Sequence, residues 1–248
     1  MSTQPFQLHG LDGKLIRGDR VDGRGRQILF ITGFLSKRWG NKSKALAKWC
    51  EEQGWGFCCY DVRGFGDSEG TFTDYTLSDW MADARTILTT LKGGPPVTIV
   101  GNSLGSWIAW LMAQEFELVD RLILIAPAFN MMGVRATHIA PERRRAWQET
   151  GWMPWDDDPL HKDWPLSWKW VEESERYWKT SFDRLRPVRT TILHGLQDTV
   201  ISPDGSRQFA EELRHRAPSF PLDLRLIPGD HRLSSPEQME LLHRLIVE

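Results

Sequence analysis

Ser103 lies in the run Val100-Gly101-Asn102-Ser103-Leu104-Gly105, where an apolar strand, Val97 to Val100, breaks at G-x-S-x-G and resumes as the helical pattern Leu104, Trp107, Ile108, Leu111, Met112. In a sharp strand-to-helix turn of this kind the serine hydroxyl is lifted out of the sheet. Glycines two residues to either side give the backbone room to fold back on itself. The free N–H groups at the helix start then point at the place where an oxyanion would form. A hydroxyl is a poor nucleophile at neutral pH, so it needs a base within hydrogen-bond reach and a carboxylate to hold that base in one tautomer. Two later strands end in such groups. Thr190 to His194 runs into Gly195-Leu196-Gln197-Asp198, and Leu222 to Ile227 runs into Pro228-Gly229-Asp230-His231. Ser103, Asp198 and His231 together read as a nucleophile, an orienting acid and a general base.

Each of the three also has a plainer reading. Ser103 could cap a helix, Asp198 could be a turn residue before Thr199, and His231 could be a solvated loop histidine. His194 competes with His231, but it stands inside a strand end, where a packed, hydrogen-bonded structural histidine is expected. His9, His138, His161, His215 and His243 follow no strand in the right position. Asp230 is adjacent to His231, and successive side chains diverge, so Asp198 is the better orienting acid. Acyl transfer needs two donors on the oxyanion. The Leu104 N–H is one, and the loop Gly33-Phe34-Leu35-Ser36 offers the Phe34 N–H as the other. The Phe34 ring can pack in the core at the same time, because the oxyanion hole would use only its backbone.

The elements that would position these groups alternate between strand and helix, the mark of an α/β fold with a mostly parallel twisted sheet and helices on both faces. Segments around Gln7 and Leu15-Ile16 read as antiparallel edge strands, followed by strands at Gln27 to Thr32, Phe57 to Asp61 and Arg121 to Ile125. A helix from Ser43 to Gln53 should stop at Gly54. Thr76 with Asp79 reads as a capping box for a helix burying Trp80, Ala84, Ile87, Leu88 and Leu91. Ser202-Pro203 and Ser235-Pro236 are N-cap and first-turn pairs for the last two helices. Residues 1–128 and 187–248 form the core, and 129–186 an inserted helical cap, since a structureless loop of that length is improbable in a compact domain. The cap carries seven of the thirteen tryptophans, including Trp147, Trp155, Trp164, Trp170 and Trp178. Their large apolar area suits either an acyl pocket or, for most of them, the cap's own small core and its seam with the sheet. The charges at Glu142 to Arg145 and Asp156 to Asp158 read as solvated faces.

Composition narrows the partners. Thirty-one Lys and Arg against 33 Asp and Glu leave no cationic excess for nucleic acid or a polybasic membrane anchor. Cys50, Cys58 and Cys59 form neither a metal spacing nor an even disulfide framework, and a reducing compartment suits them. Met1 to Gly13 shows no positively charged start followed by an apolar core, and no run of about 18 apolar residues occurs, so a cytoplasmic protein with neither a secretory signal nor a membrane span is expected.

The G-N-S-L-G elbow, with Asp198 and His231 after it in that order, resembles the α/β-hydrolase superfamily over nearly the whole chain. Four stretches are similar to the branch of acyl-protein thioesterases and acyl-glucuronide esterases: Gly33 to Ser36 followed by Lys42 to Trp49, Tyr60 to Gly70, Ser103 to Trp107, and Asp230-His231-Arg232. Ser106 departs from that branch, which tends to have a second glycine there. The resemblance implies a serine esterase or thioesterase with Ser103, Asp198 and His231 in the triad positions and no cofactor or metal. The expected substrate is a small acyl ester or thioester, or an acylated protein. Serine at the elbow argues against dehalogenase and epoxide hydrolase chemistry, which use a carboxylate nucleophile. A carbon–carbon bond hydrolase, a peptidase and a catalytically silent binding protein are the other readings the same fold admits.

Overall fold

The computed structural model describes residues 3–153 and 164–248. Eight strands form one sheet in the order β1-β2-β4-β3-β5-β6-β9-β10: β1 (Gln4–His9), β2 (Leu15–Val21), β3 (Gln27–Ile31), β4 (Gly56–Tyr60), β5 (Val97–Asn102), β6 (Val119–Ile125), β9 (Arg189–Gly195) and β10 (Leu222–Ile227). β2 runs antiparallel to both β1 and β4, and the pairs from β4 to β10 are all parallel. The expected antiparallel segments are therefore present, with β1 at one sheet edge and β2 one strand in from it.

Both faces are covered, which is why the central strands read as unbroken apolar runs rather than alternating ones. Ile28 and Phe30 of β3 face α1 (Asn41–Gln53) and α8 (Pro236–Val247), in a core with Leu46, Leu242 and Ile246. Leu29 and Ile31 face the opposite core, which contains Trp80 of α2 (Leu77–Thr90), Trp107 and Trp110 of α3 (Leu104–Glu115) and Phe209 of α7 (Pro203–Arg216). Each fully buried Leu, Ile or Phe contributes about 1.5–3 kcal/mol of transfer free energy. The expected punctuation holds. Gly54 ends α1 in the left-handed region, Thr76 and Asp79 form the capping box of α2, and Ser202 and Ser235 cap α7 and α8 just ahead of Pro203 and Pro236.

Between β6 and β9 the chain forms α4 (Met131–His138), α5 (Pro141–Thr150), the short hairpin β7 (Trp152–Met153) with β8 (Leu166–Ser167), and α6 (Lys169–Thr180). Trp155, His161 and Asp156 to Asp158 lie outside the described residues. Most of the other tryptophans here build structure. Trp147 is buried and donates its indole N–H to Leu166 O at 2.8 Å, and the buried Trp170 meets Trp80 edge-on at 4.8 Å and Phe34 at 5.3 Å. Trp178 packs on Phe129, Phe182 and Phe209.

Candidate active site

Ser103 sits where β5 gives way to α3, with φ 54° and ψ −118°. A non-glycine residue held there costs about 1–3 kcal/mol, and the surroundings must hold it. Its N–H donates to Ile125 O at 2.8 Å, and its carbonyl accepts from Ser106 N at 3.0 Å and Ala128 N at 3.1 Å. The two elbow glycines are required by close approach. A Cβ at Gly101 would lie 2.5 Å from Ser106 Cα, and one at Gly105 would lie 2.3 Å from both the Ile31 and Thr32 carbonyl oxygens. Ser106, the departure noted in the sequence, fits without strain: its buried hydroxyl bridges Gly101 O at 2.8 Å and Ile125 O at 3.1 Å. The Ser103 side chain makes no cap hydrogen bond, which removes the N-cap reading.

The loop after β3 turns tightly beside the serine. Ser36 N–H donates to Gly33 O at 3.3 Å, and a Cβ at Gly33 would stand 3.2 Å from Ser103 Cβ. The backbone of Gly33 and Phe34 thus passes next to the nucleophile candidate, while the Phe34 ring packs against Phe72, Trp80 and Trp170. The loop is fixed at its far end by Arg38. That guanidinium donates to Asp19 Oδ2 and Asp67 Oδ2, both at 2.7 Å, and to the buried Asp61, which also takes the Arg38 backbone N–H at 2.6 Å. Burial would push the Arg38 pKa down, but the three carboxylates outweigh it and hold the pKa well above the usual guanidinium range. Sequence reading missed this cluster, because its members come from separate segments and each looks like an ordinary surface charge.

Asp198 and His231 meet at the ends of the adjacent strands β9 and β10. His231 Nδ1 is 2.7 Å from Asp198 Oδ2. Asp198 Oδ1 accepts the Val200 and Ile201 N–H groups, each at 2.9 Å, so the carboxylate organises its own turn as well as the histidine. Burial raises the Asp198 pKa, yet the Ile201 N–H, His231 and the Val200 N–H together bring it below the ordinary carboxylate value. The two loops are tied to each other: Gln197 N donates to Gly229 O at 2.9 Å, and Gly229 N donates to Gln197 Oε1 at 2.6 Å. Asp230, the weaker acid candidate, accepts the Arg232 N–H at 3.0 Å and shapes the loop. His194 is fully buried and hydrogen-bonded, as its place in the strand implies, but it also contacts Asp198 Oδ2 at 3.1 Å, which the sequence did not indicate.

Ser103 and His231 are brought to the same edge of the sheet, although no hydrogen bond joins the Ser103 hydroxyl to His231 among the described residues. Such contacts are commonly long in unliganded enzymes and tighten around substrate. Beside the Gly33 loop opens a cleft of about 180 Å³ whose lining includes Ser36, Lys37, Lys42, Asn102 and Arg232 and contains no carboxylate. Burial lowers the Lys42 pKa to about 8, against the attraction of Asp230, and its ammonium donates to the Arg232 carbonyl. Cys50, Cys58 and Cys59 are buried free thiols. Among the described residues no group of three or more His, Cys, Asp or Glu side chains is arranged to hold a metal, and no helix is long and apolar enough to cross a membrane.

Comparison with known proteins agrees with the topology. The chain is 28% identical to mouse palmitoyl-protein thioesterase ABHD10, mitochondrial, over 227 residues, which is 90% of this chain and 74% of that protein. It is 26% identical to the bovine protein of the same name over 231 residues, 90% of this chain and 72% of the relative. Among solved structures, alpha/beta hydrolase domain-containing protein 10 from mouse superimposes with a TM-score of 0.85 at 25% identity, covering 98% of this chain and 97% of that one. A putative hydrolase from Agrobacterium vitis S4 gives the same TM-score at 23% identity over 99% and 97% of the two chains, which speaks to the fold. The alpha/beta hydrolase family model matches residues 28–244, from β3 to α8, and the chain belongs to that family.

Proposed function

We propose that the protein is a serine hydrolase that cleaves carboxylic esters or acyl thioesters through Ser103, His231 and Asp198. The observation that carries this reading is the 2.7 Å contact between His231 Nδ1 and Asp198 Oδ2, together with a serine held at positive φ at a strand-to-helix turn. With Nδ1–H committed to Asp198, His231 Nε2 is free to take the Ser103 proton as the hydroxyl attacks the acyl carbonyl. The imidazolium then protonates the departing alkoxide or thiolate, and water, deprotonated by the same nitrogen, releases the acid. The N–H groups of Leu104 and Phe34 receive the oxyanion.

The described part of the inserted segment, α4 to α6, would offer apolar surface to the acyl chain, with Trp170 against Phe34 beside the Gly33 loop. The cleft with Lys37, Lys42 and Arg232 favours a leaving group that carries polar or negatively charged atoms. The thioesterase name of the relatives supports the thioester side of the reading, and an acylated protein is as admissible a substrate as a small molecule. Those relatives are named mitochondrial; the buried free thiols here suit any reducing compartment, and the cytoplasm is the one proposed.

The test is hydrolysis of matched oxygen esters and thioesters, from acetyl to palmitoyl, by the native chain and by Ser103→Ala. Activity that peaks at one chain length and disappears in the variant is expected. Activity on neither series, with turnover of a diketone or an aminoacyl amide instead, would replace the acyl-ester reading by carbon–carbon or peptide bond cleavage. Failure of an activated phosphonate to label Ser103 would indicate a silent binder.

A further inference from the structure

Asp198 is held by two imidazoles rather than one. His194 Nε2 lies 3.1 Å from Asp198 Oδ2 and 3.0 Å from the Ile201 carbonyl oxygen. Both neighbours are acceptors, so Nε2 carries a hydrogen shared between them. On the other side of the ring, Nδ1 is 2.7 Å from the hydroxyl of Ser206, a fully buried residue of α7. Burial lowers the His194 pKa, against the pull of Ile201 O and Asp198, which favours the neutral ring, and with the hydrogen on Nε2 the Nδ1 lone pair accepts from the Ser206 hydroxyl. In that tautomer the hydrogen bonds run from Ser206 to His194 to Asp198. Asp198 then has Val200 and Ile201 on Oδ1 and both histidines on Oδ2.

We propose that His194, held as the Nε2–H tautomer by the two acceptors facing Nε2, is a positioning residue that fixes the Asp198 carboxylate so that Oδ2 stays on His231 Nδ1. This rests on the triad reading. The carboxylate cannot rotate about its Cβ–Cγ bond without breaking contacts on both oxygens, and the strand and helix that bear His194 and Ser206 are rigid elements of the sheet layer. The second N–H also draws on the negative charge of Asp198, so His231 is stabilised as imidazolium less than it would be by an unshared carboxylate. Asp198 and His231, from the turns after β9 and β10, are the titratable groups facing His194, and α7 presents Ser206.

Three variants test this: His194→Phe keeps ring volume without a donor, His194→Gln restores an amide N–H near the position of Nε2, and Ser206→Ala removes the partner that holds the ring at Nδ1. The readouts are kcat and KM separately, the pH profile of kcat/KM, and the low-field proton resonance of the His231–Asp198 hydrogen bond. For His194→Phe, kcat should fall by about 10²-fold with KM little changed, the cost of a misplaced catalytic group. Its acid limb should move to higher pH, and its low-field resonance should broaden. His194→Gln should recover most of the loss, and Ser206→Ala should show the same direction at smaller size. Equal losses for Phe and Gln with a stationary acid limb would overturn the proposal and leave His194 a packing residue. If His194→Phe does not fold, Ser206→Ala decides, and an unmoved acid limb with an unbroadened resonance would overturn it. Full activity in Ser103→Ala would instead sink the triad reading, and the resonance, read without substrate, would still test the contact.

Discussion

Gly105→Ala should inactivate without unfolding, and the structure sets the size of the effect. An added Cβ would lie 2.3 Å from the carbonyl oxygens of both Ile31 and Thr32, against an ordinary contact of 3.4 Å or more. Both obstacles are backbone atoms, one in β3 and one at the root of the Gly33 loop, so no side chain can swing aside. The start of α3 and the loop must separate by about 1 Å, the displacement at which catalytic geometry costs about 10²-fold in rate. That separation would fall between the Leu104 and Phe34 N–H groups, the oxyanion donors proposed above, whose joint grip would be made in the transition state. The loss should therefore fall on kcat and leave KM nearly alone. Overpacking of this kind costs about 1–3 kcal/mol, which in a domain of this size lowers Tm by about 2–4 °C per kcal/mol. Gly205→Ala is the control: the same methyl in α7 meets open space and should stabilise by about 0.5–1 kcal/mol. Steady-state kinetics on a short acyl ester with thermal unfolding of both variants would check this. A Gly105→Ala enzyme with native kcat would refute the argument that the spacing of α3 from the Gly33 loop sets the rate.

Other consequences can be measured more simply. Asp198→Asn should lower kcat by about 10⁴-fold, since an amide can accept the wrong His231 tautomer. Because the native Asp198 pKa lies below its ordinary value of 3.8, its contribution to stability is present above that value and is lost as the pH falls through the lowered native one. Denaturant unfolding between pH 2 and 7 should show this acid limb, and the Asn variant should flatten it. Arg38→Met leaves Asp61 and Asp19 buried without their cation and should cost about 3–5 kcal/mol in urea unfolding, with Arg38→Lys a poor rescue because one ammonium cannot span three carboxylates. Burial pushes the Cys50 and Cys58 thiols up to about 12, so a disulfide reagent at pH 8 should titrate the cysteines only after denaturation.

The elbow was legible because its two glycines and the switch from an apolar strand to a helical period lie within a few consecutive residues, and local backbone sterics dictate the rest. Asp198 and His231 were legible for a related reason, as each follows a recognisable strand. The helix boundaries at Gly54, Thr76, Ser202 and Ser235 were equally local. What could not be read is what only tertiary structure assembles. Arg38 finds Asp19, Asp61 and Asp67 across three segments, and a charged residue in sequence carries no mark of burial. His194 looked structural, and it is, but its second contact exists only after the turn from Gly195 to Ile201 has wound Asp198 back over it. The lining of the cationic cleft is likewise scattered between Phe30 and Ser234.

The parallel pairing of β6 with β9, from Arg121↔Arg189 to Ile125↔Leu193, has a kinetic meaning. Everything before it in the chain contains the serine, its elbow and both candidate oxyanion donors, and everything after it contains the proposed acid and base. The connection between them is the long α4–α6 excursion, so this seam closes a large loop and pays its entropy before any contact across it is returned. Each half can acquire its local geometry with no chemistry to show for it. Recovery of turnover during refolding would then lag recovery of helical signal, and enzyme activity becomes a clock for the docking of one strand pair.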